Sequence, residues 1–278
     1  MSFTRIGANI AALKSLNELL KVNNRIGSSL LKLSSGKRIN SVGDDAAGYS
    51  LARGLEARRR SLQQALANVG TAKNVLGIAE GGYFAISDIL QIIKEKTVQA
   101  ADDTYSTAQR AAIKGQIDAL VQEIDSIVKE NEFQGTQLIN GDFDGKLFQT
   151  GASSGDTFTV RLSDVDSTAL ALFIGGVDQL VVATAASAAV AIDAVDTAIN
   201  LLNAAAQVVG ESLLRLSSKE NTLSVAITNT EAARSRIEDA DFAEVQAQLV
   251  RDQIIQQTAF SAFAQANAAP QLVLSLFR

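Results

Sequence analysis

Large apolar residues recur at steps of mostly three and four positions along the first part of the chain. This spacing predicts an amphipathic helix with one apolar stripe. Asn23 and Asn24 interrupt the middle of the stripe, and polar residues at such positions can set the register of a coiled coil. The stripe consists of Ile6, Ile10, Leu13, Leu16, Leu20, Ile26, Leu30 and Leu33.

A short polar stretch separates this helix from a second, much longer one. Gly36, after two serines, is typical of a residue that ends a helix. Asp44 and Asp45 are typical of a helix start, because carboxylates there accept hydrogen bonds from free backbone N–H groups. We expect the second helix to continue to about Ala101, with four glycines that mark close packing or a bend: Gly70, Gly77, Gly81 and Gly82.

The middle and the end of the chain differ in their periodicity. Ser106 and Gln109 form a capping-box pattern that opens a third helix, to about Asn131. Alternation around Phe158 then predicts short strands and hairpins, with a turn at 151–156. The helical pattern returns near residue 183, and we expect Pro270 to end it.

The predicted fold class is mainly α. The N- and C-terminal segments form a long antiparallel helical bundle or coiled coil, with a small central β-hairpin region. Two helices of this length cannot bury their apolar stripes against each other alone. The remaining apolar surface must therefore be covered by other molecules or stay disordered.

The composition excludes most catalytic and metal chemistry. The chain has no His, so it lacks the commonest general base and transition-metal ligand, and it has no Cys. We therefore predict no enzyme activity, cofactor or metal site. The acidic pairs have no calcium-loop spacing, and charge at helix starts explains them better. The stretch 33–48 is not a phosphate-binding loop, because Leu31 and Arg38 occupy positions where that loop needs Gly and Ser or Thr.

Charge and hydropathy bear on partners and location. The net charge is −5, which argues against nucleic-acid binding, yet residues 1–60 carry eleven Lys and Arg against four Asp and Glu. Such a basic segment favours ionic pairing inside the molecule or between copies. No apolar stretch approaches the roughly 20 residues of a membrane span, so we expect no membrane partner. The N-terminus does not look like a cleaved signal peptide.

Four ordered blocks of the sequence resemble bacterial flagellin. The string LSSGKRINSVGDDAAGYSLARGLEA is similar to the N-terminal signature of that family, and NEFQGTQLINGDF and FQTGASSGDTFTV resemble its helix-to-hairpin segment and first hairpin. The end of the chain, from ARSRIEDADF onward, resembles the C-terminal signature almost throughout. The likeness covers residues 1–165 and 205–278.

The resemblance implies a mechanical function. Flagellins leave the cell unfolded through the flagellar type III channel, without a cleaved signal peptide, and form the extracellular flagellar filament used for swimming. The implied partners are other copies in an open helical homopolymer, an export chaperone, the filament cap and the hook-junction proteins. Folding of the terminal helices is coupled to polymerisation.

The resemblance also divides the chain into segments. Residues 1–33 are expected to be an inner-core helix, 34–47 a joint, and 48–140 rod-layer helices. Residues 141–185 are expected to be a short outer β-hairpin segment, 186–235 a rod-layer helix, and 236–278 the second inner-core helix. The apolar stretch 169–195 is weakly matched, and we interpret it as a helix packed on the rod or a subunit contact. The short central region indicates a small subunit without large outer domains.

Two sets of residues are candidates for assembly. The joint residues are Gly36, Arg38, Asn40, Asp44 and Asp45. Arg38 could pair with Asp44 or Asp45 or with a neighbouring subunit, and the subunit contact is the favoured interpretation. The self-assembly stripe consists of Ile6, Ile10, Leu13, Leu20, Leu30, Leu33, Phe242, Val245, Leu249, Phe260, Phe263 and Leu272.

Three positions depart from flagellins that the animal Toll-like receptor detects. The receptor-binding string of the family aligns with residues 91–99, where Ile92 replaces an Arg and Lys96 replaces a Leu. Gln116 aligns with the facing Glu of the family. Loss of an Arg anchor and a Lys at an apolar contact both weaken binding, so weak or absent recognition is expected.

Two other functions remain open at this point. A hook–filament junction protein of the same superfamily would share the terminal similarity without forming the bulk filament. A secreted coiled-coil adhesin would not account for four matching blocks.

Overall fold

The structure is a computed structural model, and it describes residues 9–174 and 177–275, with no side-chain description for Ile174, Val177 and residues 269–275. Within these residues the chain forms five helices and six short strands. The helices are α1 (Ile10–Ser35), α2 (Ala46–Ala101), α3 (Thr107–Glu130), α4 (Ala185–Glu238) and α5 (Phe242–Ser275). The strands are β1 (Glu132–Phe133), β2 (Thr136–Gln137), β3 (Leu147–Gln149), β4 (Thr157–Thr159), β5 (Phe173–Ile174) and β6 (Val177–Asp178). The predicted fold class is confirmed.

Three predicted helix boundaries are confirmed by their capping contacts. Gly36 ends α1 with φ of 71°, a left-handed conformation that a side chain would strain. Asp45 accepts a hydrogen bond from the N–H of Gly48 at 2.9 Å, at the start of α2. Ser106 and Gln109 form the reciprocal capping box of α3. These local signals hold because each cap is completed by residues only a few positions away.

The strands form three separate two-stranded antiparallel sheets among the described residues. β1 pairs with β2, β5 pairs with β6, and β3 pairs with β4 with Phe148 opposite Phe158. The predicted turn at 151–156 connects β3 and β4, and the N–H of Thr150 donates to the carbonyl of Asp156 at 2.8 Å. Short strands of this kind depend on burial against a helix rather than on their own pairing.

The main core lies in a central unit, residues 60–227. Contacts between Lys73 and Glu220 and between Lys94 and Asp196 show that α2 and α4 run antiparallel there. Both helices bury residues at alternating steps of three and four, the spacing of coiled-coil packing. Many of the buried residues of α4 are small, which suits close helix approach: Ala188, Ala191, Val195, Ala198, Leu202, Ala205 and Val209.

The apolar stretch after residue 164 belongs to this core. Leu170, Leu172, Leu180 and Val182 are buried in it, on both sides of β5 and β6. The expectation of a helix over 169–195 is therefore wrong before α4 begins at Ala185. The helical prediction failed because alternating Leu, Phe and Val also suit short buried strands.

Two polar contacts fasten this stretch to α3. Asp125 accepts hydrogen bonds from the N–H and the hydroxyl of Ser167, at 2.9 and 3.0 Å. Lys114 pairs with Asp178 at 2.6 Å. The stretch is thus packed against the helices of the central unit and belongs to its core.

A second unit comprises the ends of the chain, residues 1–59 and 228–278. Its main contact is between α1 and α5. The helical pattern expected from residue 183 divides here, because α4 ends at Glu238 and α5 begins at Phe242. Asp241 caps α5 by accepting from the N–H groups of Ala243 and Glu244 at 2.9 and 3.2 Å, and the N–H of Ala240 donates to the distant carbonyl of Gly36 at 2.9 Å.

The prediction that Pro270 ends the last helix is wrong. α5 continues through it to Ser275. Proline lacks one N–H and tends to kink a helix, but the hydrogen bonds before and after it can still form.

Of the four glycines singled out in α2, Gly82 has a packing explanation. A Cβ at Gly82 would lie 2.4 Å from the Asn131 amide nitrogen and 2.9 Å from the Ile139 side chain. A side chain at this position would therefore force the ends of the Asn131 and Ile139 side chains to shift. The other three, Gly70, Gly77 and Gly81, have open space where a Cβ would be, so close packing within the described residues does not explain them.

Two helices pass a length and hydropathy test for membrane spans. Windows in α2 and α4 reach mean hydropathies of 1.3 and 1.4. The expectation that no stretch approaches this length was therefore too strict. The test is weak evidence for a membrane, because packed helices of soluble proteins also pass it.

Candidate functional site

α1 and α5 pair along a seam with a regular repeat. The less exposed residues of each helix alternate at steps of three and four, which is the spacing of a two-stranded coiled coil. We call these residues the inner seam. In α1 they are Ala12, Ser15, Leu19, Val22, Ile26, Ser29 and Leu33, and in α5 they are Val245, Leu249, Asp252, Gln256, Ala259, Phe263 and Ala266.

Three polar contacts across the two helices define an antiparallel register. The Asn9 amide donates to the carbonyl of Ala266 at 2.7 Å. The Gln256 amide donates to the side-chain oxygen of Asn23 at 2.6 Å. Nearer the joint, Arg25 and Asp252 form an ion pair at 3.1 Å. Partner numbers thus fall along α5 as they rise along α1, so the two helices run in opposite directions.

The predicted assembly stripe mixes two faces. Leu33, Val245, Leu249 and Phe263 belong to the inner seam. The other described members are exposed, and they lie on what we call the outer face: Ile10, Leu13, Leu20, Leu30, Phe242 and Phe260. Ile6 and the side chain of Leu272 lie outside the described residues.

The outer face contains further large apolar residues that the stripe omitted. Leu16 and Leu31 are exposed on α1, and Val250, Ile254 and Ile255 are exposed on α5, Ile254 to 60%. Exposed apolar surface on this scale, within one helix pair, is typical of an interaction site. The inner seam was missed because it includes Ala and Ser. The strict three–four repeat would have revealed it if small residues had been counted.

Backbone hydrogen bonds close the joint between α1 and α2. The N–H groups of Arg38 and Ile39 both donate to the carbonyl of Glu238, at 2.7 and 3.4 Å. Lys37 and Asp239 form an isolated antiparallel bridge. The segment after α1 is therefore bound to the segment between α4 and α5, and Ile39 is buried there.

The joint residues predicted from the sequence have different partners from those expected. The Arg38 guanidinium donates to the carbonyl of Ile237 at 2.7 Å, and the described residues show no ion pair of Arg38 with Asp44 or Asp45. The expected intramolecular pairing is thus wrong. Asp44 and Asp45 instead accept hydrogen bonds from backbone N–H groups within a few residues of themselves.

Asp44 and Asn40 organise the loop itself. The Asp44 carboxylate accepts from the N–H groups of Asn40 and Ser41, at 3.0 and 2.8 Å. Hydrogen bonds from these backbone groups lower the pKa of Asp44. The Asn40 amide donates to the carbonyl of Lys37 at 2.9 Å. These hydrogen bonds give the loop a defined conformation.

A balanced charge network adjoins the joint, and the sequence reading did not identify it. Glu238 pairs with Lys37 at 2.6 Å and with Arg234, while Arg234 and Arg59 both contact Glu231. Arg59 also pairs with Glu56 at 2.8 Å. The spacing of three and four residues within each helix was a visible signal, but the contacts between helices were not.

The network favours the charged forms of its members. Burial alone would raise the pKa of Glu238, but hydrogen bonds from Lys37 and Arg234 outweigh it and lower that pKa. The hydrogen bond from Arg234 likewise lowers the pKa of Glu231. The hydrogen bond to Glu56 raises the pKa of Arg59. The joint is therefore held by ions that stay charged at neutral pH.

The three positions compared with receptor-detected flagellins lie on two helices of the central unit. Ile92 is exposed and Lys96 is half-buried on α2, while Gln116 is exposed on α3. In the described part of the chain, no group of three His, Cys, Asp or Glu side chains is arranged to hold a metal ion. The most prominent feature for function is thus the exposed outer face.

Two family models match the N-terminal and C-terminal parts of the chain. The model of the bacterial flagellin N-terminal helical region matches residues 6–144, and that of the bacterial flagellin C-terminal helical region matches residues 192–277. Together they cover well over half of the chain, including α1, α2, α3 and α5.

Individual relatives agree with the family models. Flagellin FlaB1 of Treponema pallidum is 31% identical over 285 aligned positions, which cover 98% of this chain and 99% of that protein. The flagellin of Bacillus subtilis is 33% identical, with 99% and 100% covered. The crystal structure of Bacillus cereus flagellin superposes with a TM-score of 0.50 and 26% identity, over 60% of this chain and 94% of that one.

Helical ends that pair with each other and leave an apolar face open define a structural subunit that assembles with copies of itself. The chain belongs to the bacterial flagellin family. It is a structural subunit of the extracellular flagellar filament, which serves motility. Its 278 residues fit a short form of the family.

Proposed function

We propose that the outer face of α1 and α5 is the surface through which copies of this chain polymerise. The observation that carries the proposal is the row of exposed Ile, Leu, Val and Phe side chains on both helices. An open helical polymer needs a surface on each copy that contacts a different surface of the next. Two helices joined through one face and apolar on another meet this need.

The segment roles follow from this proposal. Residues 1–33 and 236–278 form the inner core of the filament, and 48–140 and 186–235 form the rod layer around it. Residues 141–185 face outward, and 34–47 are the joint. The interruption of the helices at 36–45 and 239–241, with its charge network, supports a boundary between core and rod at these positions.

We also propose that the terminal helices fold fully only on assembly. The inner seam contains Ala, Ser, Asp and Gln among its larger apolar residues, so only part of it contributes apolar burial to pairing. Further large apolar side chains are exposed on the outer face, where other copies are needed to bury them. Folding of α1 and α5 is therefore coupled to polymerisation.

The proposal also includes export and partners. The chain leaves the cell through the flagellar type III channel, and it binds an export chaperone, the filament cap and the hook-junction proteins. An apolar helix face that is open before assembly needs protection from aggregation, which supports a chaperone on the C-terminal segment. Of that face, α5 contributes Phe242, Val250, Ile254, Ile255 and Phe260.

Weak recognition by the Toll-like receptor is the remaining part of the proposal. It rests on Ile92, Lys96 and Gln116, which replace the residues that receptor-detected flagellins have. We expect the chain to need about 100-fold more protein than its Ile92→Arg, Lys96→Leu, Gln116→Glu variant for half-maximal activation of a receptor reporter, because a lost interface anchor costs about 2 kcal/mol or more. Strong activation by the parent chain would contradict the proposal.

Seeded polymerisation tests the central proposal. Purified chain is added to short filament seeds, and the products are examined by electron microscopy beside a variant that lacks residues 1–33 and 240–278. Long filaments from the full chain, and none from the shortened chain, are expected. A full chain that does not elongate seeds would instead support the hook–filament junction alternative.

A further inference from the structure

Large apolar side chains lie on the outer face of α1 and α5 as well as in the inner seam that joins them. On α1 the outer face presents Ile and Leu, whereas the inner seam includes Ala12, Ser15 and Ser29. On α5 the seam includes Asp252 and Gln256. Apolar burial is not directional, so it cannot by itself direct the inner face of α5 to α1 rather than to the leucines of another copy.

Asp252 is the least expected member of the seam. It is only 4% exposed, and its Oδ1 accepts a hydrogen bond from Nε of Arg25 at 3.1 Å. Within the described residues, its Oδ2 is buried without a hydrogen-bond partner. A buried carboxylate costs more than an apolar residue of similar size, so stability does not explain Asp252.

The cost of Asp252 depends strongly on what faces it. Against Arg25 the charge is paired. Against the exposed Leu and Ile side chains of another copy, the carboxylate would lose the hydrogen bond that Arg25 donates. The Arg25 side chain is 49% exposed and the Asp252 side chain 6%, so loss of Arg25 leaves the cost mainly on the buried carboxylate. Asp252 therefore excludes partners more strongly than it attracts them.

Register is restricted in the same way. Glu18 and Lys32 lie one heptad to either side of Arg25 on α1. A slip that brings Asp252 to Glu18 opposes two carboxylates. A slip in the other direction offers Lys32, but it moves Gln256 away from Asn23, its present partner at 2.6 Å, and opposite Leu30. The present register satisfies both polar pairs.

We infer that Arg25 and Asp252 make the inner face of α5 specific for the inner seam of α1, in one register, rather than for the outer face of another copy. The exclusion of other copies from the inner seam reserves the outer face for them. This last step rests on the proposed polymerisation, whereas the pairing specificity within the chain does not.

Disulfide trapping tests the inference directly, because the chain has no Cys. Ser29→Cys and Leu249→Cys place two thiols in the seam, one turn from the ion pair on each helix. After seeded assembly and mild oxidation, a non-reducing gel separates disulfides within one chain from those between chains. The parent reporter is expected to form disulfides within one chain almost exclusively.

Three variants of the reporter distinguish the outcomes. Arg25→Leu with Asp252→Leu should raise the disulfides between chains at least tenfold, because the exclusion is lost. Arg25→Asp with Asp252→Arg should restore the parent pattern. The matched control, Glu244→Leu with Arg251→Leu, removes one exposed charge of each sign from α5 and should change nothing.

The inference would be overturned if the double-leucine variant formed no more disulfides between chains than the parent reporter. It would also be overturned if the charge-swapped chain assembled but still formed disulfides between copies. Failure of the parent reporter to elongate seeds would count against the proposed polymerisation instead. The same oxidation would then be carried out on the concentrated chain in solution, where the ratio of the two kinds of disulfide still tests pairing specificity.

Discussion

Truncation of outer-face leucines should weaken assembly without weakening the chain itself. Leu13 and Leu20 are 56% and 52% exposed, so about half of each side chain remains to be buried by other copies. Full burial of a leucine contributes about 1.5–3 kcal/mol, so each Leu→Ala change should cost the polymer about 1 kcal/mol. Leu19, by contrast, is 5% exposed in the inner seam.

These values translate into critical concentrations, because a tenfold change corresponds to about 1.4 kcal/mol. Leu13→Ala or Leu20→Ala should each raise the critical concentration about fivefold, and the two together about 30-fold if their effects add. Leu19→Ala should cost about 2–5 kcal/mol wherever α1 and α5 are paired, because it leaves a cavity.

The assay measures the concentration of chain that remains soluble after seeded polymerisation reaches equilibrium. Calorimetry measures the unfolding temperature of the isolated chain. Leu147→Ala is the matched control, since Leu147 is 66% exposed on β3, in the segment proposed to face outward. A critical concentration within twofold of the parent for the double variant would refute the reasoning. So would a clear fall in the unfolding temperature of the isolated chain, because the exposed halves of Leu13 and Leu20 are buried only by other copies.

Further predictions concern the joint and the central unit. Glu238→Gln should raise the critical concentration about tenfold, because hydrogen bonds to charged groups contribute about 1.5–3 kcal/mol and the substitution weakens those from Lys37 and Arg234. The lowered pKa of Glu238 also predicts a pH dependence. The stabilisation from the charged Glu238 carboxylate is complete above the unfolded pKa of about 4.3 and is lost as the pH falls through the lower folded pKa. The Glu238→Gln variant should lack this pH-dependent stabilisation. Asp125→Ala should lower the melting temperature of the central unit by about 4–8 °C, since two hydrogen bonds to Ser167 are lost.

Matched controls accompany these changes. Glu95→Gln removes an exposed carboxylate of α2 and should leave the critical concentration and its pH dependence unaltered. Asp193→Ala does the same on α4 and should leave the melting temperature within about 1 °C, as expected for a surface substitution. An acid-induced loss of assembly that is identical in the parent and in Glu238→Gln would argue against a role for Glu238.

Much of the helical layout could be predicted from the sequence, because its signals are local. The capping box at Ser106 and the αL glycine at Gly36 each depend on residues within a few positions. The amphipathic pattern likewise predicted that α1 would leave apolar surface for other molecules. The motifs at both ends of the chain identified the family.

Contacts between distant residues decided the rest. The break before Phe242 has a local signal, since Asp241 caps α5, but the hydrogen bond from Ala240 to the distant Gly36 cannot be read from residues near 240. The same holds for the network around Glu238 and for the division of apolar residues between the inner seam and the outer face. A sequence shows which side of a helix is apolar, whereas the choice of the face that pairs depends on ions and hydrogen bonds supplied by a helix more than 200 residues away.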